Sequence, residues 1–426
     1  MQKVQVTNSQ QSPHYLKLDN GITIILKENP TVDLISGRIF LKNAGGLWEP
    51  REKTGLFHLL TTVITKGTDN LSSVEIAEAV ESIGASLGAN ATADYLVIGV
   101  KTVSSDFQEM LALVGEILRV PTFPEAEVAL EKNLIRQSIR SQREQLLSIA
   151  FNQLRASIYG DHPYGTPILG QEETVINLTR EDLQRYHQNY FRPDNLIISL
   201  SGFLNIDQAV SWVEKTFGDW SIPYDHNISI PTLPNLEVRP CDKFTFQETQ
   251  QSIVMLGYLT AEVHSPDYPV LKLLSTYLGN GLSSRLFTEL RKKQGLAYDI
   301  SAIYPTHLKP SQFVIYMGTA AHKTTIAIER LRQETERLSY QELTPQELQY
   351  TKNKLLGQYA LGKQTNSKIA NLYGWYETLG LGIEFDREFQ DQINQVTSKM
   401  IQTVSNKYLL SPYVSVVGPN TVGANN

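Results

Sequence analysis

A single cysteine, Cys241, serves a chain of 426 residues. One thiol excludes an intrachain disulfide framework and any metal cluster built on cysteine, and it leaves Cys241 to act as a small buried apolar residue. No stretch approaches the roughly 18 consecutive apolar residues that read as a membrane-spanning helix. An excess of one charge is also lacking: 44 acidic against 38 basic residues give a net −6, spread along the chain, which argues against nucleic acid as a partner. The opening Met1-Gln2-Lys3-Val4-Gln5-Val6-Thr7 has no apolar core of a secretory signal, so a soluble, cytoplasmic protein is expected. What is present, 41% apolar and 19% charged residues, is the balance of a globular protein too long for one ordinary core.

The order of elements repeats. Tyr15 to Leu18 and Thr23 to Leu26 flank Asp19-Asn20-Gly21, a strong hairpin signal. Residues 32–41 read as a strand ending in Asn43-Ala44-Gly45-Gly46, and a helix through His58 follows, stopped by Gly67. Ser72 with Glu75 predicts a capped helix to Ile83. A strand over 95–100, helices over 107–118 and from 125 to about 145, a capped helix from Thr179, a strand over 196–202 and a helix over 205–217 complete the first plan. Pro223, Pro231, Pro234 and Pro240 mark residues 223–240 as a linker. Beyond it come a strand over 251–258, helices over 269–278 and 283–292, and strands over 298–304 and 313–317. Long helices over 320–339 and 344–361 follow, and a last strand ends in Gly418 as the earlier one ends in Gly202. The expectation is an internally duplicated α+β protein with modules 1–222 and 241–426. Each would have a mostly antiparallel sheet covered by helices on one face.

The segment Gly55-Leu56-Phe57-His58-Leu59-Leu60-Thr61-Thr62-Val63-Ile64-Thr65-Lys66-Gly67-Thr68 resembles the first helix of the inverted zinc endopeptidases. These are the pitrilysin and mitochondrial-processing-peptidase family, M16, with the resemblance pointing to subfamily B. Their pattern is His-x-x-Glu-His followed by a Lys-Gly-Thr-like tripeptide. His58 stands at the first histidine, Thr61 at the glutamate and Thr62 at the second histidine. The resemblance implies a third ligand, a glutamate in a Glu-Arg-x-Val-Ile-x-x-Glu-Ile pattern. The matching stretch, Glu131 to Ile139, puts Ser138 there, 76 residues after Thr62.

Zinc catalysis needs protein ligands around an open water position and a carboxylate to handle the proton. Histidines at i and i+4 share a helix face, and a glutamate at i+3 reaches the bound water. Neutral hydroxyls are poor zinc ligands and cannot replace a carboxylate base. No metal is therefore expected in this chain, and His58 is expected to be a hydrogen-bonded helix residue facing a vestigial cleft. Glu131 is expected to be an exposed carboxylate paired with a basic neighbour such as Lys132. His14, His162, His187, His226, His264, His307 and His322 show no spacing that makes a second site.

Leu278-Gly279-Asn280-Gly281-Leu282-Ser283-Ser284-Arg285-Leu286-Phe287-Thr288-Glu289-Leu290-Arg291-Lys292-Lys293-Gln294-Gly295-Leu296-Ala297-Tyr298 is similar to the family's second signature. That signature is Ser-Arg-Leu-Phe followed by Leu-Arg-x-x-x-Gly-Leu-Ala-Tyr. The resemblance implies that Arg291 and Tyr298 reach substrate near a zinc site: a guanidinium forks onto a carbonyl or carboxylate, and a phenol donates to an oxyanion. Leu282, Leu286, Leu290 and Leu296 are expected in the core. The family also docks extended peptides on an edge strand, here Gly88-Ala89-Asn90-Ala91-Thr92, with Asn90 and Ala91 as the backbone contacts. Asp161 to Gly165 and Tyr190 to Asn195 match family landmarks and are expected to be structural loops.

Some bacterial members of the family divide labour between a chain with the zinc motif and a chain with the Arg–Tyr pair. This sequence has the second pattern. It implies a non-catalytic subunit of a heterodimeric zinc endopeptidase, with zinc in the homologous partner, extended peptides as substrates and a possible homodimer in isolation. Asn280-Gly281 is far shorter than the glycine-rich loop of the mitochondrial non-catalytic chain, so presequence recognition of that kind is not expected. Two other readings stand beside this one: a scaffold resembling respiratory-complex core subunits, and a weak zinc peptidase with unusual ligands.

Overall fold

The computed structural model describes residues 12–222, 228 and 231–419. The first half contributes strands β1 (His14–Lys17), β2 (Thr23–Glu28), β3 (Leu34–Leu41), β4 (Ser86–Ala91), β5 (Leu96–Val103) and β6 (Leu196–Gly202). Its helices are α1 (Leu56–Val63), α2 (Ser73–Glu81), α3 (Phe107–Arg119), α4 (Glu125–Gln142), α5 (Leu146–Tyr159), α6 (Glu172–Asn177), α7 (Arg180–Tyr190) and α8 (Ile206–Phe217). The second half contributes β7 (Asp242–Phe246), β8 (Gln251–Leu259), β9 (Asp299–Ile303), β10 (Gln312–Ala320) and β11 (Tyr413–Gly418). Its helices are α9 (Tyr268–Gly279), α10 (Thr324–Tyr340), α11 (Pro345–Leu361), α12 (Asn366–Thr378), α13 (Phe385–Gln395) and α14 (Ser398–Tyr408). A wider helical segment, Phe287–Lys293, lies between α9 and β9.

The duplication is explicit in the sheets. The first runs β1-β2-β6-β3-β5-β4 and the second β7-β11-β8-β10-β9. Removing β1 makes the two orders identical. The parallel pair falls in the same place in each, β2 with β6 and β7 with β11, and all other neighbours are antiparallel. The Asp19-Asn20-Gly21 signal does close the β1–β2 hairpin, with Gly21 at φ 92°.

Each half's own helices cover one face of its sheet, as the α+β reading requires. Ile24, Leu26, Ile39, Ile98, Ile198 and Leu200 share a core with α1, α3 and α8. Val254, Leu256, Ile315, Met317, Val414 and Val416 share another with α9, α10 and α14. Period-two alternation sends the intervening residues to the opposite face. There the halves exchange a helix. α12 of the second half packs on β3 and β6, its Tyr373 and Trp375 against Ile25, Phe40 and Ile197. α5 of the first half packs on β8 and β11, where Leu154 and Ile158 join Ile253, Met255, Tyr413 and Val417.

The two crossings use opposite partitions of volume. On the first sheet a bulky Phe40 meets Gly374 of α12, where a Cβ would lie 2.4 Å from the Phe40 ring and 3.0 Å from Ser199. By register, Gly257 of β8 stands where Phe40 stands, and there the bulk is on the helix. A Cβ on Gly257 would lie 2.7 Å from Ile158 and 2.8 Å from Leu154. Ser199 and Ser415 occupy equivalent positions on β6 and β11, and the Ser415 hydroxyl donates to the Ala150 carbonyl of α5 at 2.8 Å.

α5, α6, β7, α12, α13 and α14 were not expected from the sequence; for α5 the reason is local. Only Arg143, Glu144 and Gln145 separate it from α4, with neither Gly nor Pro to announce a break, and its N-terminus has no side-chain cap. The linker reading falls partly on residues 223–227, 229 and 230, which lie outside the described residues; residues 231–240 carry no helix or strand. Among the described residues no helix is long and apolar enough to cross a membrane.

Gly374→Leu is expected to overpack the α12 crossing and lower unfolding stability by about 1–3 kcal/mol. Phe40→Ala in the same chain should recover part of the loss. Thermal midpoints of the two single variants and the double variant check this, and additive losses would show that the crossing is not the tight point.

Candidate functional site

α1 begins on a left-handed Gly55 (φ 93°), where a Cβ would lie 2.7 Å from the Leu169 carbonyl. Its exposed amides are met by a buried carboxylate: Glu49 accepts from Gly55 N at 2.9 Å and from Phe57 N at 2.6 Å. These donors, and the positive end of the helix, favour the charged form. Burial nevertheless pushes the Glu49 carboxyl up to about 7.

α1 packs against α4 and the edge strand β4, so His58, Thr61 and Thr62 share a neighbourhood with the helix of Ser138. The three hydroxyls are turned to their own helices. Thr61 donates to the His58 carbonyl at 2.8 Å, Thr62 to the Leu59 carbonyl at 2.9 Å and Ser138 to the Leu134 carbonyl at 3.0 Å. His58 is half-buried, and burial holds its imidazole below the usual range. Its Nδ1 is buried with no hydrogen-bond partner, unlike the hydrogen-bonded histidine expected from the sequence. Glu131 also departs from expectation. It is largely buried and lies 3.5 Å from Lys66, whereas Lys132 donates to the Ile176 and Leu178 carbonyls.

This donor set does not fit zinc. One imidazole stands with three neutral hydroxyls already donating to backbone, and the nearby carboxylate is compensated by Lys66. Among the described residues no group of three His, Cys, Asp or Glu side chains comes together in a way that could hold a metal ion.

Arg291 and Tyr298 lie at the outer edge of the second sheet. Arg291 is exposed at the end of the wide helical segment, its guanidinium 5.0 Å from the centre of the Phe287 ring. Tyr298 is 61% exposed; its amide donates to the Gly318 carbonyl at 2.8 Å as β9 begins. Leu286, Leu290 and Leu296 are buried as expected, but Leu282 is 76% exposed because it sits at the tip of the turn after α9. Asn90 and Ala91 lie on β4, which among the described residues has a partner strand on one side only, β5. Asn90 is exposed and Ala91 buried, the alternation of an edge strand. Arg291 and Tyr298 thus flank one sheet edge while Asn90 and Ala91 occupy its counterpart in the other half.

One constellation escaped sequence spacing. Asp94, in the β4–β5 turn, accepts from the Tyr164 hydroxyl and from the Leu308 amide, and pairs with His307 Nδ1 at 2.7 Å. The Tyr164 ring meets His162 edge-on and lies tilted beside His307, and the Tyr164 amide donates to His162 Nδ1. Burial pushes the His162 imidazole down to about 4. The cluster joins the edge-strand turn of the first half to the 304–311 loop of the second. The only local signal was the Pro–Tyr–Gly loop after His162, which is structural as expected.

Residues 23–172 match the family described as Insulinase (Peptidase family M16), and residues 177–355 match the Peptidase M16 inactive domain. The chain belongs to peptidase family M16. It is 28% identical over 410 residues to the uncharacterized zinc protease YmxG of Bacillus subtilis, covering 94% of this chain and 97% of that one. An uncharacterized zinc protease of Rickettsia felis is 27% identical, with 95% and 97% covered. Among solved structures, a peptidase M16 inactive domain from Pseudomonas fluorescens superposes with a TM-score of 0.88 at 21% identity, covering 96% of this chain and 98% of that one. A protease from Helicobacter pylori gives 0.89 at 21% identity, with 96% and 99% covered.

Glu49 generates a pH prediction. Its folded-state pKa lies above that of an exposed glutamate, so its contribution is fully present below about pH 4.5 and is lost as pH rises through about 7. The span is at most about 3 kcal/mol. Glu49→Gln keeps an acceptor for α1 but should flatten the stability profile between these values. Denaturant titrations across that range measure the slope, and equal slopes in both proteins would contradict the assignment.

Proposed function

We propose that this chain is the non-catalytic subunit of a heterodimeric zinc endopeptidase. In this reading a homologous chain with the full His-x-x-Glu-His motif holds the zinc, and this chain lends Arg291 and Tyr298 to substrate bound there. The observation that carries the reading is a contrast. At the three degenerate positions the hydroxyls are spent on their own helices, while the Arg–Tyr pair is solvent-exposed and committed to no ion pair among the described residues.

The chemistry assigns each group a part. Arg291 would hold a substrate carbonyl or terminal carboxylate through paired N–H donors. Tyr298 would donate its phenol to the oxyanion that develops during peptide hydrolysis, an interaction stronger in the transition state than in the ground state. Extended peptides would add to the β4 edge around Asn90 and Ala91, gaining affinity from backbone pairing with little side-chain selection.

Co-expression with the zinc-motif homologue from the same genome tests the proposal. The mixed enzyme should cleave unstructured peptides, and this chain alone should neither cleave them nor bind stoichiometric zinc. Arg291→Ala and Tyr298→Phe should each lower kcat/KM of the mixture by about 10²-fold, mainly through kcat for Tyr298. Unchanged kinetics in both variants would overturn the in-trans role. Chelator-sensitive turnover by the isolated chain would overturn its non-catalytic assignment.

A further inference from the structure

The two sheets match row for row, and one row differs in kind. Across the second sheet Ser415, Met255, Tyr316 and Ser301 stand side by side, from β11 to the β9 edge. The corresponding row of the first sheet is Ser199, Arg38, Gly99 and Gly88, from β6 to the β4 edge. Where the second half has methionine and tyrosine, the first has a cation and bare backbone.

Glycine is disfavoured in strands, and inside one it marks a bulge, a bend or a close approach. A bulge does not account for this row, because the register of β4 with β5 and of β5 with β3 runs through both glycines without a slip. Close approach is what the structure shows. The Arg38 guanidinium lies over Gly99, where a Cβ would stand 2.2 Å from Nη1 and 2.9 Å from Cζ. Gly99 thus lets Arg38 reach across β5 toward the edge. Over Gly88 the space is open, with nothing beyond its chain neighbours within 4 Å of a Cβ.

Arg38 is half-buried, and burial holds its guanidinium below the usual range. Nη1 donates to the Gly37 carbonyl at 3.3 Å and Nη2 to the Ser367 hydroxyl of α12. Among the described residues no carboxylate pairs with it, and its Nε–H has no acceptor and is not buried. The residues that share this face on β3, β5 and β4 are Ser36, Phe40, Val97, Lys101, Ser86 and Asn90. The only charge they add is the exposed cation of Lys101.

We propose that Arg38 selects for a glutamate in the extended peptide that adds to the β4 edge, with Gly88 and Gly99 as the open floor over which the two side chains meet. The inference rests on the edge-docking reading given above and adds selection at one position of the peptide. A peptide residue directly opposite Gly88 sends its side chain to the same face of the sheet. Strands lie about 4.8 Å apart, so that side chain has one strand to cross before it meets a guanidinium lying over β5. Glutamate has the length to cross β4, and aspartate, a methylene shorter, does not. At the meeting point the carboxylate accepts a charge-assisted bond from a cation that no acidic group of this chain neutralises among the described residues. Backbone pairing at an edge is nearly indifferent to side chains, so the preference comes from this row.

The probe is a Ser/Thr-rich peptide with a neutral dye, both ends blocked and one central glutamate, so that the side chain carries its only carboxylate. Companion peptides hold glutamine, aspartate or lysine there, and each is titrated into the full-length protein by fluorescence anisotropy. The glutamate peptide should bind about threefold or more tighter than the glutamine peptide, with the aspartate peptide near glutamine and the lysine peptide weakest. Added salt should shrink the advantage. Arg38→Gln keeps a donor for Ser367 and should bring the two affinities to within about a factor of one and a half. Gly88→Thr, which the open space accommodates and strand geometry favours, should erase the preference by closing the path while the glutamine peptide still binds. Thermal midpoints control for folding, and Gly88→Thr keeps the test decisive if Arg38→Gln does not fold. Equal binding of the glutamate and glutamine peptides, or a preference that survives Arg38→Gln, would overturn the role of Arg38 and leave edge docking standing. Failure of every peptide to bind would overturn edge docking itself, and this inference with it.

Discussion

One helix crosses from each half to the other, and the molecule hangs on that exchange. Without α12, the face of the first sheet that carries Ile25, Phe40 and Ile197 has no cover; without α5, the second sheet exposes Ile253, Met255 and Val417. Burial of each face by the other half adds to the stability of both. The crossing also fixes the mutual placement of the halves through side-chain packing, so the proline-bearing connection has no need to be stiff. The cluster around Asp94 adds a second tie, placed where the β4 turn meets the 304–311 loop.

The α1 region shows how a helix carrying hydroxyls at Thr61 and Thr62 keeps its shape. In this chain the helix is anchored at its start by the Glu49 carboxylate and along its length by apolar burial, with Leu56, Phe57, Leu59, Leu60 and Val63 all enclosed. Thr61, Thr62 and Ser138 bond backward within their helices, the usual recourse of hydroxyls at helical positions. Their geometry leaves the helix intact while directing their protons away from any shared centre. The exposed Arg291 and Tyr298 are held by other elements, in the second half.

Much of this was legible from the sequence. The turn at Asp19-Asn20-Gly21, the capped start of α2 at Ser72 and the glycine-ended strands β6 and β11 announced themselves through local chemistry, because each depends on residues close in the chain. The helix carrying His58, Thr61 and Thr62 was legible for the same reason, because spacing alone places them on it. The exchange of α5 and α12 was not, because packing between distant segments leaves no local signature and α5 lacks a cap or breaker. Glu131 was misread as exposed, since its partner Lys66 comes from the far end of the α1 segment. Leu282 was misread as core because a leucine in a leucine-spaced block gives no hint that the chain turns there.

The opposite partition of bulk at the two crossings has a consequence for the ancestry of the fold. Two copies of the first half would bring Phe40 against Leu154 and Ile158, large upon large; two copies of the second would set Gly257 against Gly374, leaving a hollow. Only the mixed pairing fills the space. The two halves of the duplication therefore complement each other in shape at these crossings better than either would complement its own likeness, and the covalent chain joins halves already matched to one another.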